Sequence, residues 1–538
     1  MRSSDCKCSF TTEICDLVHP LEKVLLDLPN HTSTLASFDQ LSAWVQTCTQ
    51  NHRKCGADVS TALPNWVLHI NWGLEQPHVR LVNGTSKMGK YICLSHHWGS
   101  DPSAHPLRLL RSNKSEFEQG IPWSSIPRTF RDVLLVVRRL GIDFLWIDSL
   151  CIIQEDDDDW HREAAAMCQY YQSSWLTIAA TISADSNQGL YSFMDSFHGA
   201  KELSGSIFIR ASLEHPFPTQ KWDIKRFPLL SRGWVYQERL LPPRVIQFTQ
   251  GELIFECREG FWCGCGIYKS LEHNKVAPKF SYNQMLLQGG SSNPEIWHEI
   301  ISEYSRHNLS FAKDKLPAIS GIAKQLESSS KGKLGQYLAG LWEKNIKIDL
   351  LWYCTNRPRL CERPQPRSAP TWSWASVGGG VAFEKLTNLY ISGQSTIEIL
   401  GHEIMSTGPD NFGQLEWGHL TVSGFVATGS IDYRSNEDMI WTGIRFQGLS
   451  PRPTFVEDYS LQTLGDAFVP PGEIFFLMMG TDFIPTHENA PFSLFLCLRC
   501  VDRGLNYFER IGICYAPKRH FDEDWMKTWT QKRTITLV

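Results

Sequence analysis

Between Lys90 and Thr181 short apolar runs alternate with helix-patterned stretches, and this alternation constrains the fold more than any other feature of the chain. YICLS (91–95), FLWIDSLCII (144–153) and WLTIAAT (175–181) are the apolar runs. IPRTFRDVLLVVRRLG (126–141) reads as a helix between the first two. Pro127 suits its first turn, Phe130, Leu134, Val137 and Leu140 form its apolar stripe, Arg138 and Arg139 sit in the last turn, and Gly141 stops it. EDDDDWHREAAAMCQYY (155–171) is a second helix, opened by acidic residues that suit a helix N-terminus. A β-α-β-α-β order with strands apolar on both faces predicts an α/β fold, a parallel sheet flanked by helices.

In such sheets the ligand crevice lies beyond the carboxyl ends of the strands. Those ends are Ser95-His96-His97-Trp98-Gly99 and Asp148-Ser149-Leu150-Cys151. The 155–171 helix opens on the same edge. On that helix Trp160, Glu163, Ala164, Met167 and Tyr171 share one face, which should turn inward. Glu163 turns with it, and an inward carboxylate must be paired, bound to something, or held at a raised pKa. Two readings stand: a catalytic acid or base, and a Glu paired with a core arginine.

Downstream, RVIQF and ELIFEC flank Thr249-Gln250-Gly251 as a hairpin. Arg232, Glu238 and Arg239 precede it and are expected to form an internal ion network that fixes the hairpin to the sheet. The pattern divides the chain into a mostly helical lead-in (1–85), with LEKVLLDL (21–28) and FDQLSAWVQTC (38–48) as its helices; the α/β unit (86–260); a helical segment (261–356) that includes QYLAGLWEKN; and a β-rich C-terminal domain (371–538). A linker or exposed crossing loop, NRPRLCERPQPRSAP (356–370), separates the last two. In the C-terminal part TWSWASV, LTVSGFVA, GEIFFLMMG, SLFLCLRCV and ERIGICYA read as short strands.

Composition narrows the function. The chain has 538 residues, too many for one core. Its formal net charge of -5, with no basic patch among aromatics, argues against nucleic acid. No uncharged apolar stretch is long enough to span a membrane. MRSSDCKCSF has no apolar signal core, so a cytoplasmic location and reduced thiols are expected for its 16 cysteines. The 20 tryptophans imply large aromatic clusters between layers.

YICLSHHWGS, the stretch from Ile126 to Thr181, and RGWVYQERLLPPRVIQFTQGELIFEC together resemble the heterokaryon incompatibility (HET) domain of filamentous fungi, over roughly residues 90–257. DKLPAISGIA, YLAGLW and APTWSWASV resemble the half that often follows it. His97 beside Trp98 is a local departure, since a small residue or Cys is more usual there. The resemblance implies a fungal protein of non-self recognition and regulated cell death, with protein partners and a homo-oligomeric active state. It also implies a core similar to Toll/interleukin-1 receptor (TIR) domains. Ser95, Ile147-Asp148 and Trp160-His161-Arg162-Glu163 match the Ser loop, the aliphatic-Asp run and the Trp-x-x-Glu helix of that pattern. TIR enzymes of this type cleave the nicotinamide–ribose bond of NAD.

That reaction passes through an oxocarbenium-like ribosyl cation, and its leaving group is already cationic, so the site needs one carboxylate near the ribose. Glu163 is the candidate, with NAD as substrate and no separate cofactor. Trp98 or Trp160 would stack on the nicotinamide. Ser95, His96, His97, Gly99, Asp148 and Ser149 would hold ribose or phosphate, and Arg128 or Arg131 would neutralise the diphosphate. A non-catalytic signalling module, and a biosynthetic or regulatory enzyme reusing the fold, are the alternatives. Cys48, His52 and Cys55 form a weak zinc candidate; Cys257, Cys263 and Cys265 are a second, weaker cluster. Cys151, on the strand-end edge, is either a nucleophile or a small buried residue.

Overall fold

The structure is a computed structural model. It describes residues 31–538 except 57, 74–75, 100, 102–104, 195–197, 199–200, 205–206, 210–214, 216–225, 266–277, 288–293, 356–360, 384–394, 409, 436–439, 450–452, 464, 484–490 and 522. The expected helix at 21–28 and Cys6, Cys8 and Cys15 lie outside the described residues.

The β-α-β-α-β segment folds into strand β3 (Tyr91–Ser95), helix α2 (Arg128–Arg139), strand β4 (Phe144–Ile147), the short helix α3 (Asp148–Cys151), helix α4 (Asp157–Ser173) and strand β5 (Leu176–Ala179). Every residue of β3 and β5 is buried, as strands covered on both faces require. Phe130, Val133, Leu134 and Val137 of α2 face the sheet, and Gly141 follows with φ 67°. Asp156 caps α4 by accepting the Asp159 N–H over 3.2 Å.

The sheet is larger than these three strands and mixed. Helix α1 (Leu35–Asn51) precedes a hairpin of β1 (Trp66–Asn71) and β2 (His78–Asn83). Strand β6 (Arg244–Phe248), β7 (Leu253–Cys257) and β8 (Phe261–Cys263) follow helix α5 (Gly233–Leu240). The order is β8-β7-β6-β5-β3-β4-β1-β2. The four central strands, β6, β5, β3 and β4, run parallel. Antiparallel hairpins close both edges, so the wholly parallel sheet expected from the pattern holds only at the centre. The β1–β2 hairpin also corrects the mostly helical lead-in. Alternating burial of Val79 and Leu81 on β2 is a strand period, and it adds these residues to the sheet.

Helices α6 (Pro278–Leu287), α7 (Pro294–Tyr304) and α8 (Pro317–Ser330) make the helical segment, and α8 packs on α4 and α5. QYLAGLWEKN is not α-helical: a tight hairpin fills it, and only Glu343–Asn345 makes a 3₁₀ turn. Tyr337–Leu338 and Leu341–Trp342 pair across Ala339 (φ 51°) and Gly340 (φ 97°), left-handed conformations that a helix cannot hold. The C-terminal sheet has β9 (Glu398–Ser406), β10 (Leu415–Ser435), β11 (Ile440–Phe446), β12 (Thr454–Glu457), β13 (Gly472–Phe483), β14 (Phe492–Asp502), β15 (Tyr507–Pro517) and β16 (Thr530–Leu537). Its order is β9-β10-β13-β14-β15-β12, with β11 on β10 and β16 on β10 and β15.

Two local expectations fail here. TWSWASV is a 3₁₀ turn at Trp374–Ser376, because Ser373 Oγ accepts the Ala375 N–H over 3.0 Å and turns the chain. The crossing loop is not exposed at Cys361 and Arg363, which are both buried. One apolar core runs through both sheets and the helices between them.

Candidate functional site

The carboxyl ends of β3 and β4 bring four of the expected residues into one hydrogen-bonded cluster. Asp148, at the start of α3, accepts from His96 Nε2 over 2.9 Å, from Trp98 Nε1 over 2.9 Å and from the Ser149 N–H over 2.7 Å. The His96 and Trp98 rings lie nearly parallel, 6.5 Å between centroids. Partial burial alone would raise the Asp148 pKa, but His96, Arg232 and Trp98 outweigh it and hold the carboxyl below its usual range. His97 is driven down to about 4 by burial, with Arg232 and His96 adding to the effect. Gly99 takes φ 98°, and its N–H donates to His97 Nδ1 over 2.9 Å.

Ser95 ends the first strand without facing a cleft. It is 2% exposed, and its Oγ donates to Glu238 Oε2 over 2.5 Å. Burial raises the Glu238 pKa, against the pull of Arg232 and Ser95.

Glu163 turns inward as its helical face requires and is 0% exposed. Both carboxylate oxygens are occupied. Oε1 accepts from Asn65 Nδ2 over 2.9 Å, and Oε2 accepts from the Tyr170 hydroxyl over 2.8 Å. Arg162 Nε stands 3.5 Å from Oε1. The arginine beside this carboxylate is therefore Arg162 of its own helix, half-exposed, rather than a core arginine, and a neighbouring amide and phenol make its hydrogen bonds. Tyr170 lies seven residues beyond Glu163, on the same helical face, so the i, i+7 spacing was the signal for it. Asn65, just before β1, left no such signal.

The other expected residues scatter. Trp160 packs edge-on against Trp234, 6.4 Å away, with Lys313 Nζ 5.8 Å from its ring. Arg128 and Arg131 act on Asp132 of their own helix, and Asp132 Oδ2 accepts the Leu190 N–H over 2.9 Å. The cation at the strand ends is Arg232, whose Nη1 donates to the His96 carbonyl over 2.5 Å. Arg232, Glu238 and Arg239 thus serve three different partners, since Arg239 grips Glu256 on β7 through Nε at 3.1 Å and Nη2 at 2.5 Å. Cys151 is fully buried, and burial pushes its thiol well up, against a nucleophilic role. Two open hollows of about 850 and 570 Å³ lie elsewhere, one on the C-terminal sheet beside Arg499 and Arg503, the other between α4, α6 and α8. None of the expected site residues lines either.

The cysteines regroup across the sequence clusters. Cys48, His52 and Cys55 are joined by Cys257, while Cys263 and Cys265 gather with His215 and Glu252. None of the thirteen cysteines among the described residues is in a disulfide.

Residues 91–238 match the family model described as heterokaryon incompatibility protein (HET). The chain carries a HET domain. Its matched stretch begins at the first residue of β3 and ends at Glu238, so the Ser95–Glu238 hydrogen bond ties the first strand of the HET domain to its last helix. The hairpins at both sheet edges, β1–β2 and β6–β8, lie outside the match, as does the C-terminal sheet. No curated protein and no solved structure matches the chain. Among the described residues no helix is long and apolar enough to cross a membrane.

Proposed function

We infer that this is a HET-domain protein of fungal heterokaryon incompatibility, in which the α/β unit works as a signalling module and Glu163 is a structural residue of its core. The family match carries the first half of this reading. The enclosure of Glu163 by Asn65 and Tyr170 carries the second, because a ribosyl cation must come within contact distance of the carboxylate that stabilises it. The TIR likeness belongs to the same reading. Ser95 ends a strand, Asp148 follows directly on the end of the next, and Glu163 lies on a helix, which supports the likeness. In this chain Ser95 is bound to Glu238 and Glu163 is closed in, so neither side chain is presented to NAD.

A second reading, ligand binding at the strand ends, draws on two groups. His96 Nδ1 and Ser149 Oγ are buried with no hydrogen-bond partner among the described residues, which is unusual for polar atoms in a core. His96 is 2% and Ser149 0% exposed, so a nucleotide or another polar ligand would supply the missing partners only if the strand-end loops opened. Protein partners, self-association and a cytoplasmic site of action go with the signalling reading.

Expression of the full chain in a filamentous fungus tests the proposal. Arrest or death of the expressing compartments is expected from the wild type and equally from Glu163→Gln, which keeps hydrogen-bonding atoms in the carboxylate's place. Death lost in Glu163→Gln at unchanged protein level would overturn the structural role. No effect of the wild type, alone or in fusion with an incompatible strain, would overturn the incompatibility reading.

A further inference from the structure

Helix α1 ends against the far edge of the main sheet, and four metal-binding side chains meet at that junction. Cys48 and His52 are four residues apart, the spacing that stacks two side chains on one helical face. The one-turn 3₁₀ helix Arg53–Cys55 then brings Cys55 back toward them. Cys257, the last residue of β7, arrives from the other side, and its Sγ stands 3.3 Å from His52 Nδ1. The four ligand atoms all lie within 4.8 Å of one another. In a tetrahedral zinc site with bonds of about 2.3 Å to sulfur and 2.0–2.1 Å to nitrogen, three sulfurs and one nitrogen lie about 3.5–3.8 Å apart.

The surroundings suit thiolates bound to a cation. Arg244 Nε donates to Cys48 Sγ over 3.2 Å, and the Glu259 N–H donates to Cys257 Sγ over 3.4 Å. Such donors to ligating sulfurs are the outer contacts that orient a metal site. Arg244 also donates to the carbonyls of Trp175 and Gly56 over 3.1 and 2.9 Å, which fixes the loop after Cys55. The three cysteines are buried. The His52 ring stacks on Trp262 of β8, tilted by 18°.

We propose that Cys48, His52, Cys55 and Cys257 are the four ligands of a structural zinc ion that clamps α1 to the β7–β8 edge of the sheet. Three sulfurs and one imidazole nitrogen complete a tetrahedron, so no position is left for a substrate or an activated water, and the ion's role is to hold the fold. Soft thiolates with one imidazole select zinc over the oxygen-seeking cations. The clamp joins two segments far apart in sequence, both outside the HET match. Metal binding here therefore contributes folding free energy to the edge of the sheet on which the HET domain rests.

The test uses the full chain, expressed with a tag that binds no metal and purified without chelator. Zinc per chain is measured by elemental mass spectrometry for the wild type and for Cys55→Ser, Cys257→Ser, Cys263→Ser and Cys500→Ser. The expected result is a loss of one zinc per chain in Cys55→Ser and in Cys257→Ser, with none lost in Cys500→Ser. Cys263→Ser reports on the neighbouring His215, Glu252, Cys263 and Cys265 group, so a wild type holding two ions still supports the proposal if Cys257→Ser removes one. The wild type alone gives a readout that does not depend on a variant folding. Replacement by cobalt(II) should produce the intense visible bands and thiolate charge-transfer band of a tetrahedral sulfur-rich site. A wild type that holds no zinc and takes up neither zinc nor cobalt would overturn the proposal. So would zinc that survives in Cys257→Ser and disappears in Cys263→Ser.

Discussion

Tyr170 donates its hydroxyl hydrogen to Glu163 Oε2 over 2.8 Å, and the same hydroxyl accepts the Asn65 N–H over 3.4 Å. Glu163 thus joins α4 to the entry of β1 beside the direct Tyr170–Asn65 contact, and its removal takes away two of the three hydrogen bonds there. Glu163→Ala leaves the Asn65 side-chain amide and the Tyr170 hydroxyl hydrogen without their acceptor, and a buried donor left unpaired costs about 1–3 kcal/mol. Glu163→Gln retains an acceptor for Asn65 and an amide that Tyr170 can accept from. Urea unfolding should show a clear loss of midpoint for Glu163→Ala and a loss less than half as large for Glu163→Gln. Equal midpoints for wild type and Glu163→Ala would refute the bridging role.

Arg239 and Glu256 form a buried pair between α5 and β7, and Gln247 Nε2 also donates to Glu256. Removing one partner of such a pair leaves a charge buried alone, at about 3–5 kcal/mol. Arg239→Met should destabilise by that order. The double change Arg239→Met with Glu256→Gln should recover most of it, because no lone charge remains. Thermal unfolding of the three variants checks this, and additive losses in the double variant would contradict the coupling.

Gly340 stands at φ 97°, and its carbonyl accepts from both Trp297 Nε1 (2.8 Å) and Trp374 Nε1 (2.9 Å). A Cβ there would lie 2.6 Å from Trp374 Nε1. Gly340→Ala therefore carries backbone strain and a clash in one position, and a loss of about 2–4 kcal/mol is expected. Chemical denaturation measures it. A loss under about 1 kcal/mol would show that the indoles yield freely.

Asp314 is buried, and burial lifts its pKa from 3.8 to about 6, with Trp234 and Lys313 opposing. Folding then favours the protonated acid. Its contribution to stability is complete below pH 3.8 and is lost as the pH rises through about 6. The loss amounts to up to about 3 kcal/mol. Asp314→Asn has nothing to titrate, so the stability difference between wild type and variant should change in the variant's favour from pH 4 to pH 7. A difference that is constant over this range would show that Asp314 keeps an ordinary pKa.

The central strands and α2 and α4 were legible because a buried parallel strand and an amphipathic helix each leave a distinct period in the chain. The edges were not. β1 and β2 lie outside the alternating segment, and nothing local says that they join β4. The Tyr337–Trp342 hairpin hides in a helix-like composition, since its turn depends on positive φ at Ala339 and Gly340. The inward turn of Glu163 followed from helical spacing alone. Its partner Asn65 is 98 residues away and left no trace. Cys48, His52 and Cys55 are visible as a local pattern, whereas Cys257 joins them only through the packing of α1 on the sheet. Arg232 reached the strand ends in place of Arg128 and Arg131 because it precedes α5, which the Ser95–Glu238 bond ties to β3 and the Ala179–Val235 cluster to β5, a tertiary fact with no sequence period.

The most direct measurement follows free nicotinamide released from NAD by the purified full chain, as monomer and in concentrated, self-associated form, beside Glu163→Gln. The account predicts no release above the protein-free rate from either protein in either state. Release by the wild type that vanishes in Glu163→Gln, with the variant folded and equally stable, would contradict it and would mean that the enclosure of Glu163 opens to admit a substrate.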